Sequence, residues 1–399
     1  MSAWTNWAGN QTCDPVVVGT PRTAADVVEL VERARHQGRR VKAVGAGHSF
    51  TGIAVTDGVQ VDLSGLSGVI NVDRERRRVR VGAGTPLHVL NPALETLGLA
   101  LPNLGDIDRQ SIAGAISTGT HGTGAALQGI AAAVTGLTLV TSDGSVVACS
   151  ADEDPALFHA ARVSLGALGI ITEVELQCVP PFQLHAVEGS ASIGEVLDSV
   201  DALAAGNDHV DIHWFPHTDR CLLKRNNRVE APPPGAAGRP LPAWRETLDD
   251  CFLANTAYEQ INRLATRRPG WVPRINKVSA RVLGARQFTD TSWKVFCSPR
   301  DVRFTESEYA VPRASLGPVM AELMAWIDQS REPLPFPVEI RFTAADDVWL
   351  STAYERDNAY VAVHQFHRMD GSRYFAAFEA IVREHAGRPY WGKLPHADR

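Results

Sequence analysis

Two stretches of this sequence are made of residues that let backbone come close to a ligand. The first, Val44-Gly45-Ala46-Gly47-His48-Ser49-Phe50, follows the short apolar run Val41–Val44. Glycines two apart at the end of a strand let backbone N–H groups reach a pyrophosphate that a side chain would hold off. Any tight turn could use the same pair. The dinucleotide pattern GxGxxG is not completed, because Phe50 stands three residues past Gly47. That disfavours a Rossmann-type nicotinamide site. The second stretch, read as a glycine-rich loop, runs from Ser111 to Gly124 and is dominated by Ala, Gly, Ser and Thr. Small side chains bury little apolar area, but they suit backbone wrapped around a ligand, with hydroxyls and amides free to bond phosphate. A flexible surface loop would share the composition, yet it would not interleave Ile112 and Ile116. Further on, Glu339 and Arg341 alternate with apolar residues in Val338-Glu339-Ile340-Arg341-Phe342 and so share one side of a strand. A solvent-facing ion pair would give the same pattern at little energetic value. His364 suits a core histidine as well as a site, and Lys393 suits a surface lysine as well as a catalytic one.

The elements that must position these residues can be read from hydrophobic periodicity. Ala24 to Gln37 places Val27, Val28, Leu30, Val31 and Ala34 on one helical stripe, with Thr23 as N-cap and Gly38 as stop. Val41–Val44, Val55–Leu63, Gly68–Val72 and Val79–Val81 are expected strands, and Leu87–Leu97 a helix ended by Gly98. Val134–Thr141 and Val146–Cys149 flank Asp143-Gly144 as a hairpin, followed by a helix over Ala156–Arg162 and a strand over Gly169–Val179. Irregular mixing of short strands and helices predicts α+β rather than repeated βαβ units. Beyond it, helices are expected over Val196–Ala205 and Met320–Gln329, and strands over Val210–Phe215, Val338–Thr343, Val348–Leu350 and Tyr360–Phe366. Residues 231–244, rich in Pro and Gly, should form a loop. The second half is thus a separate α+β domain with an antiparallel sheet. The division predicted is 1–180, then 181–385, with 386–399 returning to the site of the first.

Bulk properties narrow the class. A chain of 399 residues exceeds one ordinary core. A net charge of −6 argues against nucleic acid, and Arg74-Glu75-Arg76-Arg77-Arg78 sits between apolar runs as a solvated hairpin tip. Cys13, Cys149, Cys178, Cys221, Cys251 and Cys297 show no CxxC spacing, which excludes zinc ribbons and fits free, mostly buried thiols in a reducing compartment. No metal site is expected. No apolar stretch nears the ~20 residues of a membrane span, and the first residues lack signal-peptide character. A cytoplasmic protein is expected, with peripheral membrane association left open.

Taken together, the motifs resemble those of the aldonolactone oxidoreductases, whose members include L-gulono-1,4-lactone and D-arabinono-1,4-lactone oxidases. Alditol oxidase is a more distant relative within the vanillyl-alcohol-oxidase superfamily. Seven blocks carry the resemblance in order: Gly45–Ser49, Pro102–Gly105, Ser117–Gly124, Leu165–Ile171, Trp214–His217, Val338–Phe342 and Gly387–Lys393. The resemblance implies an FAD-binding domain of two α+β subdomains and an α+β cap domain that meets the substrate. It places FAD against Ala43, Val44, Gly45, Ala46, Gly47, His48 and Ser49, then Gly105, Ser111, Gly114, Thr118, Gly119, Thr120, His121 and Ile171. His48 matches the histidine that many members bond covalently to the flavin. Glu339, Arg341 and Lys393, with His364 nearby, fall on the substrate side, where a hydride leaves a carbinol carbon while the hydroxyl loses its proton. The substrate implied is a sugar-derived lactone; the rival readings are a polyol, or a flavin-binding protein without activity. Gly105 leans toward oxygen as acceptor, against a cytochrome or quinone. Two departures stand out: Tyr390 replaces the usual His before Trp391, and the sequence stops at Arg399 where the resemblance implies roughly one further helix and a closing segment.

Overall fold

Thr23 opens the first helix, Ala24–His36, through a capping box: its hydroxyl accepts from Asp26 N at 3.1 Å, and the Asp26 carboxylate accepts from Thr23 N at 3.0 Å. The predicted stripe supplies the buried face, with Val27, Leu30, Val31 and Ala34 all buried, and Gly38 takes the left-handed conformation just past the end. This computed structural model describes residues 3–229, 240–242, 255–282, 284–298 and 300–395. Most of the expected 231–244 loop, and Cys251, lie outside the described residues.

The chain falls into two compact units that do not follow sequence order. One comprises Met1–His121, Gly129–Pro181 and Asp346–Tyr354; the other comprises Gly122–Gln128, Phe182–Ala345 and Glu355–Arg399. The first unit holds two sheets. Val17–Gly19, Val59–Asp62 and Val41–Val44 form a three-stranded parallel sheet with Val59–Asp62 in the middle. Val69–Asp73, Arg78–Gly82, Ile170–Gln177, Val134–Val140 and Val146–Ser150 form a five-stranded antiparallel sheet in that order. The Arg74–Arg77 tip is an exposed turn between two of these strands.

The second unit is organised by one eight-stranded sheet, antiparallel at every pairing described. Its central strands run His209–Trp214, Val338–Thr343, Asn358–Phe366 and Phe304–Pro312. Because side chains alternate along a strand, each of these sends one set of residues to each face. Ile212, Ile340, Val361, Val363, Tyr309 and Val311 form an apolar core with the helices Leu316–Ser330 and Ser372–Glu384. The opposite set, described below, is charged.

Three expectations need correction. The run from Ser111 is not loop throughout: Ile112–Ser117 is a helix capped by Ser111, whose hydroxyl accepts from Gly114 N at 3.3 Å. Ile112 and Ile116, four apart, lie on its buried side. Val348–Leu350 is a turn rather than a strand, because the Asp346 carboxylate accepts from Val348 N at 3.1 Å and from Ser351 Oγ at 2.6 Å. The expected helix over Val196–Ala205 is two, Ile193–Asp198 and Val200–Ala205, interrupted where Ser199 Oγ donates to Glu195 O at 2.7 Å. Among the described cysteines, Cys149, Cys178 and Cys221 are buried and Cys13 and Cys297 half-buried, and none is in a disulfide.

Candidate active site

In the first unit the two glycine-rich stretches meet. Val41–Val44 delivers the chain into Gly45, which lies so near Ser111 that an added methyl would sit 2.1 Å from Ser111 Oγ. Gly47 has φ +67°, and a methyl there would lie 3.2 Å from the Trp4 ring. Both positions therefore require glycine, one for closeness and one for backbone sign as well. Between the stretches is a cleft of about 880 Å³, solvent at its mouth included. It is lined by Ala43, Val44, Gly45, Ala46, Gly47, His48 and Ser49, by Ser111, Gly114 and Thr118, and by Ile171. Of the remaining expected residues, Gly105, Gly119, Thr120 and His121 are not in its lining. Lys42, Ser117, Gly166 and Gly169 are, and none of these was singled out from sequence. Ser117, Gly166 and Gly169 could have been, since they sit in the Ser117–Gly124 and Leu165–Ile171 blocks. Half-buried His48 stacks on Trp7 with ring centroids 5.6 Å apart.

The lining fits FAD on its own chemistry. It contains Lys42 and no aspartate or glutamate, so an anionic pyrophosphate meets amides, hydroxyls and a cation but no repelling carboxylate. The Gly45–Ser111 approach gives a direct test. Gly45→Ala should displace the Ser111 side chain from its capping position, at about 1 kcal/mol, and weaken flavin binding several-fold. Titrating flavin-stripped His48→Ala protein, with and without Gly45→Ala, with FAD and following flavin fluorescence would show it.

In the second unit the charged face of the eight-stranded sheet gathers Asp211 and His213 from one strand, Glu339 and Arg341 from the next, His364 from the third, and Glu306 and Glu308 from the fourth. Register does the gathering: His213 pairs with Glu339, Glu339 with Ala362, and Glu306 with His364. Lys393 comes from beyond the edge strand and is held by its own backbone neighbours, since Leu394 N donates to Glu306 O at 2.9 Å and Tyr390 N to Glu308 O at 3.0 Å. Glu306, Glu339, Arg341, His213 and His364 are all at most 8% exposed. The solvent-facing alternative for Glu339 and Arg341 is therefore excluded.

The pairings fix charge states. Arg341 donates to Glu339 and lies with Nε 3.6 Å from Asp211; His213 Nε2 is 3.4 Å from Asp211 and 3.8 Å from Glu339. Burial works against an ionised Asp211, but His213 and Arg341 outweigh it and hold the carboxyl well below its usual range. Lys393 donates to Glu306, whose other oxygen is 3.4 Å from His364 Nε2. Burial again opposes charge, yet Lys393 and His364 bring Glu306 down to about 2. The same carboxylate, joined by Glu308, overcomes desolvation and raises the Lys393 pKa further above its normal value. His364 lies 3.1 Å from the Pro337 carbonyl through Nδ1 and faces Glu306 through Nε2. A proton on each nitrogen satisfies both, and Glu306 and then Glu339 raise its pKa against the pull of burial.

All four expected substrate-side residues thus converge, and four more join them. Asp211 and His213 were legible as the polar half of an alternating strand. Glu306 and Glu308 carry the same signal in Thr305-Glu306-Ser307-Glu308-Tyr309, on a strand the periodicity reading passed over. Asp211, His213 and Glu339, and separately Glu306, Glu339 and His364, bring ligand atoms within 4.8 Å of one another. Arg341 and Lys393 already engage Glu339 and Glu306 from within these groups, so the sets read as ion-pair networks.

A small-residue cleft that fits FAD and a buried acid–base cluster, each on its own α+β unit, are the parts of a flavin-dependent oxidoreductase. By fold the chain is similar to cholesterol oxidase from Brevibacterium sterolicum (TM-score 0.79, 20% identity, 98% of this chain and 86% of that one). The chain belongs to the D-arabinono-1,4-lactone oxidase family, whose profile matches residues 174–398, and a profile for the FAD binding domain matches residues 15–150. It is 41% identical to L-gulono-1,4-lactone dehydrogenase of Mycobacterium tuberculosis over 98% of this chain and 89% of that protein. It is 33% identical to L-gulonolactone oxidase of Bos taurus over 99% and 89%.

Proposed function

We propose that this FAD-dependent aldonolactone oxidoreductase acts on an L-gulono-type 1,4-lactone through the cluster of Glu339, Arg341, His364 and Lys393. The observation that carries the reading is the buried Lys393–Glu306 pair beside Arg341–Glu339 on one sheet face, in a chain of the lactone oxidase family. Ala43–Ser49, Ser111, Gly114, Thr118 and Ile171 would hold FAD, and Gly105, Gly119, Thr120 and His121 would support it from outside the cleft lining. When bound, FAD supplies a two-electron acceptor for the substrate's carbinol hydrogen.

The protein's own part is to bind and polarise. Lys393, kept cationic by Glu306 and Glu308, cannot serve as the base; it donates to the substrate hydroxyl and stabilises the oxygen as its proton departs. Arg341 adds a second donor, fixed by Asp211 and Glu339. Glu339 is the carboxylate that takes the proton, with His213 within 3.8 Å to share it. His364 keeps Glu306 ionised and so acts on Lys393 indirectly.

A panel of lactones and polyols, run under air and then anaerobically with artificial acceptors, tests substrate and acceptor together. Turnover of lactones over polyols supports the reading; faster polyol turnover would replace it with alditol oxidation. Gly105 favours oxygen as acceptor, so turnover under air without added acceptor is expected. Covalent attachment through His48 predicts that flavin stays with acid-precipitated wild type and is released from His48→Ala. Flavin released from both would remove that bond from the account. Five described cysteines outside any disulfide support a reducing, cytoplasmic setting, and no helix among the described residues is long and apolar enough to cross a membrane.

A further inference from the structure

The charged face of the eight-stranded sheet does not end at Asp211. Three more strands continue it: Arg220–Val229, Gln183–Ser192 and Arg286–Thr291. Register aligns one residue from each, since Asp211 pairs with Lys224, Lys224 with Glu188, and Glu188 with Arg286. Residues directly opposite in antiparallel strands put their side chains on one face. With Arg341 Nε 3.6 Å from Asp211, five successive strands present Arg286, Glu188, Lys224, Asp211 and Arg341. Charge alternates at every step.

Four of the five are held by close partners. Arg286 donates to Glu188 Oε2 at 2.7 Å and to Oε1 at 3.3 Å, so both carboxylate oxygens are engaged. Asp211 has the Arg341 guanidinium on one side and His213 Nε2 at 3.4 Å. Lys224 is the exception. It is half-buried, and its ammonium makes no hydrogen bond or salt bridge among the described residues. Its field is felt all the same: burial works against an ionised Glu188, but Lys224 and then Arg286 hold the carboxyl below its usual range.

A half-buried ammonium must take its hydrogen bonds from water or from a ligand. Neighbouring strands lie about 4.8 Å apart, so the backbones at Lys224 and Arg341 are about 10 Å apart, and two long side chains close much of that gap. A 1,4-lactone whose reacting hydroxyl sits at Arg341 carries an exocyclic arm on its ring. In a six-carbon lactone the arm is a dihydroxyethyl group; in a five-carbon lactone it is a hydroxymethyl group. The longer arm extends one carbon and one hydroxyl further along the row. Its terminal hydroxyl would accept from Lys224 and donate to Glu188, whose carboxylate has lone pairs beyond those Arg286 engages. An acid in place of that hydroxyl would meet Glu188 and Asp211 on either side of the ammonium, so the row suits a neutral polyol arm.

Building on the lactone reading above, we propose that Lys224, with Glu188 beside it, binds the terminal hydroxyl of the exocyclic arm and so sets a preference for six-carbon over five-carbon lactones. The test is steady-state kinetics of FAD-loaded wild type, Lys224→Met and Lys224→Gln with L-gulono- and D-arabinono-1,4-lactone. Lys224→Met should lower kcat/KM for L-gulono-1,4-lactone by about 10–100-fold, mostly through KM, because a hydrogen bond from a charged donor is lost. The loss with D-arabinono-1,4-lactone should be at least about tenfold smaller, since its arm stops short of Lys224. Lys224→Gln keeps a neutral donor and should recover part of the loss. A role confined to charge balance, acting through Asp211 and Arg341, would weaken both substrates alike, because they share the reacting ring carbinol. Equal losses, no loss with either lactone, or a wild type with the higher kcat/KM on the five-carbon lactone would overturn the proposal and leave the lactone reading standing. Wild type that oxidises neither lactone would remove both. If D-arabinono-1,4-lactone is not turned over, its inhibition constant against L-gulono-1,4-lactone supplies the comparison, and if Lys224→Met loses flavin, Lys224→Gln decides by the same ratio.

Discussion

Arg341→Met is expected to lower kcat/KM for the lactone by about 10²–10³-fold, the usual loss when a donor to a developing oxyanion is removed. Stability should fall as well. Asp211 and Glu339 are both buried carboxylates engaged by the Arg341 guanidinium. Removing one partner of a buried ion pair leaves its charge uncompensated, which costs roughly 3–5 kcal/mol. Part of that cost is avoided if Asp211 or Glu339 takes up a proton, so the stability gap between variant and wild type should narrow as pH falls. Arg341→Lys keeps the charge but loses the planar fork and should recover stability more fully than kcat. Steady-state kinetics and thermal melts of the three proteins check both claims. A variant with unchanged kcat/KM would remove Arg341 from the chemistry, whatever its stability.

Lys393→Met should be comparably severe, at about 10²–10⁴-fold in kcat, and its pH behaviour separates its role from packing. Glu306 has its folded-state pKa depressed from 4.5 to about 2, with Lys393 the largest favourable influence. The stability it contributes is therefore complete above about 4.5 and lost as pH falls toward about 2. Without Lys393 the Glu306 pKa climbs, and the acid limb of unfolding should move to higher pH. His364 carries the opposite sign. Its pKa is raised above 6.5, so its contribution is complete below 6.5 and fades as pH rises through the folded value. Lys393 opposes that charge, so removing it should carry the alkaline limb upward too. Acid and alkaline unfolding followed by intrinsic fluorescence would read both limbs. An acid midpoint identical to wild type would contradict the Glu306–Lys393 pairing.

The legible parts of this fold are those with local causes. The Thr23 cap, the stripe ending at Gly38, and the strand Val41–Val44 leading into Gly45 were all readable because each is decided within a few residues. The Ser111 stretch misled because small residues resemble loop, while its helix depends on Ile112 and Ile116 finding a core. Val348–Leu350 looked like a strand by composition, but Asp346 captures its backbone in a turn. Glu339, Arg341, His364 and Lys393 were reached through resemblance, since four residues spread over 55 positions have no spacing of their own. Their convergence is a matter of strand register, which pairs Glu306 with His364 and His213 with Glu339. No sequence periodicity reveals which strand lies beside which. For the same reason Asp211, His213, Glu306 and Glu308 were missed, although each alternates correctly within its own strand.

The central claim is that this chain holds FAD and passes it the carbinol hydrogen of a 1,4-lactone. Its most direct test is an anaerobic half-reaction: FAD-loaded protein is mixed with L-gulono-1,4-lactone and the visible flavin band is followed. The band should bleach to that of reduced flavin in wild type and persist far longer in Lys393→Met. A band that stays oxidised with L-gulono-, L-galactono- and D-arabinono-1,4-lactone alike, in protein carrying its full complement of flavin, would contradict the account.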